Sequence, residues 1–486
     1  MSSESILAAT EAIAECQQPD RHKWLALAVL LSGNFVTILD LFIVNVALDS
    51  IQKDLNATPS EIQLVMVGYS GAYGVLLMNG ARLGDIFGRR RIFLIGMGLF
   101  TVASALCGLA SVPLALIGAR VLQGIGAALL MPQVFSSLRV LFEGGARRHA
   151  FGIMGAVQGV AASISQLTGG FLIKHGSSGL GWRWVFLVNL PVGLVALVVG
   201  RLLIDETKAP VPSRLDLRGA LTGAAGLALF LIPAMEGRDH GWPWWSWMVP
   251  ILGLPVMIDF VRYERWLSRA GGVPIIDISL FHNHRFVAGV AAVFLFYSAI
   301  SSFFLSLTML LQPGLGLSPM TAGAVFTPSA LAFFAGSLAG PKLAGRIGHR
   351  ALLFGVVVFG SGLLLSIIAG VVAPGNLPLL VTSLILNGAG QGLVIPLALN
   401  TILSGVRTDQ AGTGSGVVST VQIIGTAVGV AIVGVIFFSL ITPTPGFSPA
   451  KRAFLYGHAL ALATIYNVAA TALSFTGFYI LTRKHS

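Results

Sequence analysis

Two ionisable residues lie deep inside apolar stretches of this chain, where they could exchange a proton. Asp40 is the only one of the 19 acidic residues that we place deep in such a stretch, and Arg120 lies within another. Asp40 precedes Asp49, at the end of its stretch, by nine residues, or about 13 Å of helix. Arg120 follows Pro113 by seven residues, or about 10 Å. The depths agree within one turn, so we expect the two side chains to pair.

A carboxylate beside an arginine at this depth suits reversible proton binding. Ionisable groups inside a membrane are costly and usually mark an ion or proton pathway. Burial favours the neutral carboxyl group and a nearby guanidinium favours the carboxylate, so a change in their separation would move a proton. A static buried ion pair is the alternative. None of the seven lysines follows a glycine, so the chain has no phosphate-binding P-loop, and direct use of ATP is not expected.

The elements that must position these residues are membrane helices. Hydrophobic residues make up 55% of the chain and charged residues 10%, with a mean hydropathy of +0.85. Soluble domains carry about a quarter charged residues. Backbone in lipid must bond internally, which favours a helical bundle. We count fourteen apolar runs of spanning length, which begin near Trp24, Gln63, Ile92, Leu114, Ala150, Trp184, Leu217, Trp245, Phe286, Met320, Leu352, Leu377, Thr413 and His458.

The first six and last six runs repeat each other. GARLGDIFGRRRIF (80–93) returns as GPKLAGRIGHRALL (340–353), and QGIG at 123–126 returns as NGAG at 387–390. Repeated halves in an apolar chain favour a secondary transporter with its substrate site between them. The predicted organisation is a cytoplasmic tail (1–22), a six-helix bundle (23–204), a linker with two extra spans (205–265), a cytoplasmic linker (266–285) and a second six-helix bundle (286–486).

The distribution of positive charge predicts the orientation. With the N-terminus inside, 23 of the 30 Lys and Arg residues fall on the cytoplasmic side, six fall outside, and Arg120 lies within a span. The positive-inside rule then places both termini in the cytoplasm of a multi-pass cell-membrane protein. The net charge of +11 is explained in this way without a nucleic-acid partner.

Five motifs in order resemble those of the major facilitator superfamily, in its fourteen-span drug:proton antiporter subfamily of the EmrB/QacA type. The resemblance rests on LDLFIVNVAL (39–48), GARLGDIFGRRR (80–91), ARVLQGIGAALLMP (119–132), WRWVFLVNLPVG (182–193) and, in part, SQLTGG (165–170). It implies an all-α membrane protein with two pseudo-symmetric six-helix bundles and two extra central helices. It also implies multidrug efflux by alternating access, driven by proton antiport.

The resemblance assigns a conformational latch to the loop after the second span. Asp85 would hold the loop to cationic partners and to the start of span 11, closing one face. A solvated basic turn that only sets topology is the alternative. SQLTGG departs from the family pattern, with Ser165 and Gln166 standing for Gly-Pro, which predicts a straighter fifth span and a less tight interface between the halves. The predicted latch residues are Gly80, Arg82, Gly84, Asp85, Gly88, Arg89 and Arg90.

A substrate cavity is expected between the two halves. Amides and aromatic rings in apolar walls suit amphipathic organic molecules, although interhelical packing is the alternative for each residue. The candidates are Asn34, Asn45, Gln123, Gln158, Phe294, Tyr297, Gln312, Asn387, Gln391 and Gln422.

The sequence therefore predicts an exporter of amphipathic compounds coupled to protons, rather than an enzyme. A narrow metabolite or lipid-like exporter without strict proton coupling and a non-transporting scaffold or sensor are the alternatives. Expected partners are a small-molecule substrate, protons, membrane lipid and, in a host with two membranes, a periplasmic adaptor protein. No cofactor and no metal are expected, since His282 and His284 have no obvious third ligand nearby.

Overall fold

The computed structural model describes residues 21–175, 180–209, 215–272, 274, 278–403, 411–441 and 447–483. These residues form helices and no strands, and fourteen helices are long and apolar enough to cross a membrane, which confirms the predicted number. They are α1 (Arg21–Leu55), α2 (Pro59–Phe87), α3 (Arg89–Leu109), α4 (Pro113–Leu141), α5 (Gly144–His175), α6 (Gly181–Leu203), α7 (Leu217–Asp239), α8 (Trp244–Arg269), α9 (His284–Gly314), α10 (Pro319–Ile347), α11 (Arg350–Val372), α12 (Leu377–Leu403), α13 (Ala411–Ser439) and α14 (Pro449–Thr482).

Local start signals fix where several of these helices begin. At the start of α2, the Thr58 hydroxyl accepts a bond from the Glu61 backbone, and the Glu61 carboxylate accepts one from the Thr58 backbone. This reciprocal cap satisfies two amide groups that the helix cannot bond itself. Ser318 and Ser448 cap α10 and α14, and proline follows at the first helical position in all three cases. The caps set the depth of every residue on these helices.

The internal repeat is visible in the packing. A methyl group on Gly126 of α4 would lie 2.8 Å from the Phe100 backbone nitrogen of α3, and one on Gly390 of α12 would lie 2.3 Å from the Phe359 backbone nitrogen of α11. Glycine is required at both places because the facing helices approach too closely for any larger residue. The same close approach occurs at matching positions of both halves, as two pseudo-symmetric bundles require.

The halves meet mainly through two helix pairs, α2 with α13 and α5 with α10, and α1 also contacts α9 and α10. A methyl group on Gly434 of α13 would lie 2.2 Å from Gln63 Oε1, and one on Gly323 of α10 would lie 2.4 Å from the Gln166 carbonyl of α5. The interface expected to be loose at Gln166 is therefore tight there, and that prediction is wrong: α5 runs unbroken through 144–175, and the glycine of α10 admits its backbone without a kink.

The inserted hairpin, α7 and α8, lies at the edge of the bundle. Its two helices pack on each other, and α7 also contacts α2 and α13. Most of α8 is exposed, including Trp244 and Trp247, as expected of a helix that faces lipid with Trp near its end. The hairpin thus covers one of the two seams between the halves.

A buried ion pair beside a central cavity

Close packing of α1, α2 and α4 brings the two predicted charges together. Gly124 lies one turn after Arg120 on α4, and a methyl group there would lie 2.3 Å from the Tyr69 carbonyl of α2. This approach places Arg120 between α2 and α1. Arg120 is 1% exposed, Asp40 is fully buried, and Arg120 Nη1 donates a hydrogen bond to Asp40 Oδ2. The predicted pairing of Asp40 with Arg120 is therefore formed.

The Asp40 carboxylate is held as an acceptor on both oxygens. Gln123 Nε2 donates to Oδ1 at 2.8 Å and Asn189 Nδ2 donates to the same atom at 3.0 Å. Ser104 Oγ lies behind these two amides and accepts from Gln123 at 2.7 Å. We call Asp40, Ser104, Arg120, Gln123 and Asn189 the Asp40 cluster. Three N–H donors match the needs of an ionised carboxylate in an apolar interior.

Arg120 is fixed by groups other than its ion partner. Its Nε donates to the Val65 carbonyl at 3.1 Å, and its Nη1 donates to Gln123 Oε1 at 2.7 Å. The guanidinium carbon lies 4.3 Å from the centre of the Tyr69 ring, within the range of a cation–π contact. These contacts hold the guanidinium to α2 and α4 in addition to its bond to Asp40.

Sequence reasoning missed Ser104 and Asn189. Asn189 starts the helical segment Asn189–Leu203 of α6 and Ser104 lies on α3. Asn189 belongs to the motif WRWVFLVNLPVG, where its amide was the available signal. Gln123 was predicted to line the substrate cavity but lies fully buried in the Asp40 cluster.

A small central cavity lies between the halves, and Arg120 is part of its lining. The first half contributes Asn45, Ser70 and Arg120, among others, and the second half contributes Phe304 and Thr426. Asp40 is not one of the lining residues. A molecule in this cavity would therefore meet Arg120 before it could reach Asp40.

Most of the other predicted cavity residues satisfy each other or the backbone. Among the described residues that line this cavity, Asn45 is the one that the sequence predicted. Gln158 donates to Asn34 at 3.2 Å, and Gln312 donates to the Val46 carbonyl across the halves at 2.9 Å. Each bond satisfies only part of these amides, because Asn34 Nδ2 and Gln312 Oε1 are buried without a hydrogen-bond partner among the described residues, and part of the cost of burying them remains. Asn387 and Gln391 bond to each other on α12, and Phe294, Tyr297 and Gln422 lie half-buried on α9 and α13.

The predicted latch loop is closed by a residue that the sequence did not single out. Glu206, just after α6, accepts hydrogen bonds from the backbone N–H groups of Arg90 at 3.1 Å and Arg91 at 3.2 Å. A carboxylate at the start of a helix satisfies free amide groups and the positive end of the helix dipole. Gly88 adopts φ 110° here, and a methyl group on it would lie 2.3 Å from Glu206 Oε1. Glycine is therefore required.

Asp85 has a cationic partner, as the resemblance implies, but not the predicted bond to span 11. Its carboxylate pairs with Arg89 at 3.0 Å, one turn along the chain, and its carbonyl accepts from the Ala209 backbone at 3.3 Å. Within the described residues it makes no bond to the start of α11, so that part of the prediction is wrong. Arg89 is nearer because Gly88 turns the chain directly from α2 into α3. Of the other latch residues, Gly80 and Gly84 pack against α4, and Arg82 donates to the Pro274 carbonyl.

Comparison with known proteins decides the family. The Major Facilitator Superfamily model matches residues 30–430. The chain belongs to this superfamily of membrane transporters. It is 38% identical to the probable actinorhodin transporter of Streptomyces coelicolor, over 87% of this chain and 74% of that protein. It is 35% identical to the puromycin resistance protein pur8 of Streptomyces alboniger (87% and 83%) and 34% identical to the cephamycin export protein CmcT of Amycolatopsis lactamdurans (92% and 91%).

Solved structures support the same fold. A proton-dependent oligopeptide transporter matches with a TM-score of 0.64 at 16% identity, over 94% of this chain and 99% of that chain. At this identity the likeness concerns the fold alone. This superfamily member is therefore a multi-pass transporter whose described residues include fourteen apolar helices of spanning length, and its buried ion pair lies in the first bundle.

Proposed function

We propose that this transporter exports amphipathic organic compounds from the cell, using proton antiport and alternating access. The observation that carries the proposal is the Asp40 cluster, in which a buried carboxylate lies behind Arg120, next to a cavity lined by both halves. Three relatives are named for actinorhodin transport, puromycin resistance and cephamycin export, which supports an exporter of organic compounds.

The arrangement suggests how proton and substrate could exclude each other. The ionised Asp40 holds Arg120 by a charge-assisted bond, and protonation of Asp40 would remove the charge that makes this bond strong. Arg120 would then turn its charge toward the cavity. A cationic or dipolar substrate would favour the opposite arrangement, in which Asp40 is ionised and Arg120 is neutralised. Binding of the substrate would therefore favour release of the proton.

The latch has a proposed role in this cycle. The loop 85–91 is tied to Glu206 and to the Ala209 backbone, so movement of α2 relative to α6 must break or carry these bonds. We propose that Asp85, Glu206 and Gly88 stabilise one of the two access states. The same proposal includes the orientation and the partners of the protein. Both termini lie on the cytoplasmic side, and the two bundles comprise residues 23–204 and 286–486. The protein contacts membrane lipid and, in a host with two membranes, a periplasmic adaptor.

Export of a single antibiotic-like metabolite is a second candidate. Two of the relatives are named for one compound each, actinorhodin and cephamycin. A narrow exporter would act on one scaffold, whereas a multidrug exporter would act on several unrelated ones.

Transport in proteoliposomes tests the proposal and separates the two candidates. Purified protein would be tested with puromycin, ethidium and a polycyclic quinone, with and without an imposed pH gradient, while a pH dye inside the vesicles reports proton movement. Accumulation of any compound that needs the gradient, with proton movement in the opposite direction, is expected. Accumulation that ignores the gradient would contradict proton antiport, and transport of one compound alone would favour the narrow exporter.

A further inference from the structure

The turn between α7 and α8 contacts both halves of the transporter. Arg238 and Asp239 are the last two residues of α7, and both side chains are mostly buried. Asp239 Oδ2 accepts a hydrogen bond from the Ser60 backbone at the start of α2, at 2.9 Å. The Arg238 guanidinium carbon lies 5.3 Å from the centre of the Phe438 ring, near the end of α13. Because α2 belongs to the first half and α13 to the second, we call these four residues the hairpin bridge.

The bond to Ser60 ties the hairpin to the first half. Ser60 lies in the first turn of α2, where backbone N–H groups have no partner within the helix. A carboxylate at this position also meets the positive end of the helix dipole. Ser60 is fully buried, so water has little access to replace the bond. At the other end of α7, Asn79 of α2 donates to the Asp216 carbonyl at 3.1 Å, and α7 is therefore bonded to α2 at both of its ends.

The contact with the second half is of a different kind. Arg238 donates to Asp239 Oδ1, so an unbroken set of contacts joins Ser60 to Phe438. A cation over an aromatic ring is attracted without a directional hydrogen bond. Separation at Phe438 leaves Arg238 with its ion partner, whereas separation at Ser60 breaks a charge-assisted hydrogen bond. The bridge is therefore weakest where it meets the second half.

The turn that carries the bridge is compact. The Trp242 backbone donates to the Gly237 carbonyl at 2.6 Å, and Trp242 has a φ of 59°, which is uncommon for a residue other than glycine. A methyl group on Gly237 would lie 2.6 Å from Ser246 Cβ of α8, so α8 packs directly against the last turn of α7. Both helices of the hairpin thus position the bridge.

The halves are close together at the end of the bundle that carries the bridge. As odd-numbered spans, α1 and α5 end on the side where α2 starts. A methyl group on Gly170, near the end of α5, would lie 2.5 Å from the Pro319 carbonyl of α10. Nearer the start of α5, one on Gly155 would meet no atom of the described residues within 4 Å. The seam between α5 and α10 is therefore closed at the end that carries the bridge and looser toward the other.

We propose that the hairpin bridge holds this end of the transporter closed and releases at Phe438 before it opens. The inference rests on the alternating access proposed above, in which α2 and α13 separate at each end in turn. Because α7 is bonded to α2 at both ends, the inserted hairpin moves with the first half. The two extra helices then have a function of their own: they set how readily this end opens, which is the outer end in the proposed orientation.

Spin-label distances across the seam test the proposal on the full-length protein in lipid nanodiscs. Lys53 and Ser439 are exposed near the ends of α1 and α13, so Lys53→Cys and Ser439→Cys place one label on each half. The two native cysteines, Cys16 and Cys107, are replaced by alanine in every sample. Pulsed electron paramagnetic resonance then reports the shares of short and long distances between the labels.

Variants on both sides of the weak contact should favour the open form. Arg238→Gln and Phe438→Leu are each expected to raise the ratio of long to short distances about twofold to fivefold, as loss of one cation–π contact would do. The double variant should show no larger rise than either single variant, because both changes remove the same contact. Lys451→Gln is the matched control: Lys451 Nζ lies 4.2 Å from the Phe447 ring centre, within the second half, and its loss should leave the distances unchanged.

The outcomes separate the hairpin bridge from alternating access. An unchanged ratio in both single variants would overturn the proposal, as would additive effects in the double variant or an equal rise in Lys451→Gln. If the wild type shifts between short and long distances with pH or with added puromycin while Arg238→Gln and Phe438→Leu behave like it, the bridge alone fails. If the wild type keeps one distance under all these conditions, alternating access and the bridge fail together.

Discussion

The two halves carry buried polar groups on the same four helices, but only in the first half do these groups include charged residues. In the first half, α1, α3, α4 and α6 bring together the Asp40 cluster. In the second half, Ser302 on α9 bonds to Asn467 on α14 at 2.7 Å, and Ser366 on α11 bonds to Ser383 on α12 at 2.9 Å. We call these two contacts the neutral pairs. Leu384, next to Ser383, stands where the repeat places Arg120.

This difference separates what the fold needs from what transport needs. The neutral pairs join the same helices without a charge, so a bundle of this kind does not require an ion pair for packing. Burying two charges is expensive even when they are well paired. The retention of Asp40 and Arg120 in one half alone is therefore best explained by a task that needs a charge.

The loop 85–91 and its repeat in the second half also differ in whether their basic side chains have acidic partners. In the first copy, Asp85 forms an ion pair with Arg89, and Glu206 forms ion pairs with Arg90 and Arg91. In the second copy, Gly345 replaces the acid, and the basic side chains of Lys342, Arg346 and Arg350 are exposed without an acidic partner among the described residues. The second loop can follow its bundle freely, whereas the first must break specific bonds to move.

Removing one charge of the Asp40 cluster should have the largest effect on stability. Arg120→Ala leaves a buried carboxylate unpaired, and loss of one partner of such a pair costs about 3–5 kcal/mol. Asn467→Ala removes one bond of the Ser302 hydroxyl, which still donates to the Ser298 carbonyl at 2.6 Å, and should cost about 0.5–1.5 kcal/mol. Unfolding of both variants in mixed micelles would measure the difference.

The double variant Asp40→Asn with Arg120→Leu serves as the control, because it makes the first half resemble the second. It should recover most of the stability that Arg120→Ala loses, yet show no transport driven by a pH gradient. If Arg120→Ala and Asn467→Ala lowered the free energy of unfolding equally, the claim that the buried ion pair distinguishes the first half would be contradicted. Gradient-driven transport by the double variant would also contradict it.

Loss of the Glu206 carboxylate should have a moderate effect on the first latch. Glu206→Gln weakens two bonds at the start of α3 and removes a charge that favours the helix dipole, at a cost of about 0.5–2 kcal/mol. We expect faster hydrogen exchange of the Arg90 and Arg91 amides and slower transport. Asp205→Asn, next in sequence and 75% exposed in its side chain, is the matched control. Exchange that is equal in both variants would remove Glu206 from the latch.

Adding an acid to the second loop should have the smallest effect. The space around Gly345 is open, so Gly345→Asp can face His349 one turn later, as Asp85 faces Arg89. With His349→Arg also introduced, the new pair should add only about 0.3–0.5 kcal/mol. Gly345→Asn with His349→Arg controls for the change in helix propensity. A stabilisation well above this range, measured in the same micelles, would contradict the prediction that an ion pair in this exposed loop contributes little to stability.

The sequence predicts the fold and the ion pair well because both leave periodic or costly signals. Fourteen apolar runs, the repeat and one carboxylate at the depth of one arginine are all readable along the chain. The neighbours of the pair are harder to predict. Asn189 and Ser104 reach Asp40 from α6 and α3, and nothing in their spacing distinguishes them from the many amides and hydroxyls that pack between helices.

Hydrogen bonds between a linker and a distant helix are the hardest contacts to predict from the sequence. Glu206 lies in a short polar linker, where an acidic residue looks solvated, and its bonds to Arg90 and Arg91 depend on how the linker folds back. Gln123 was assigned to the cavity because depth along α4 is readable, whereas the direction of its side chain depends on the packing of α1 and α3.

Proton release on substrate binding tests the central claim, that Asp40 is the coupling group, most directly. Protein in detergent and weak buffer would be mixed with puromycin, or with the best substrate from the proteoliposome panel, while a pH dye follows the medium. The wild type should release protons on binding, and Asp40→Asn should bind the same compound, measured by equilibrium dialysis, and release none. Proton release by Asp40→Asn equal to that of the wild type would contradict the account.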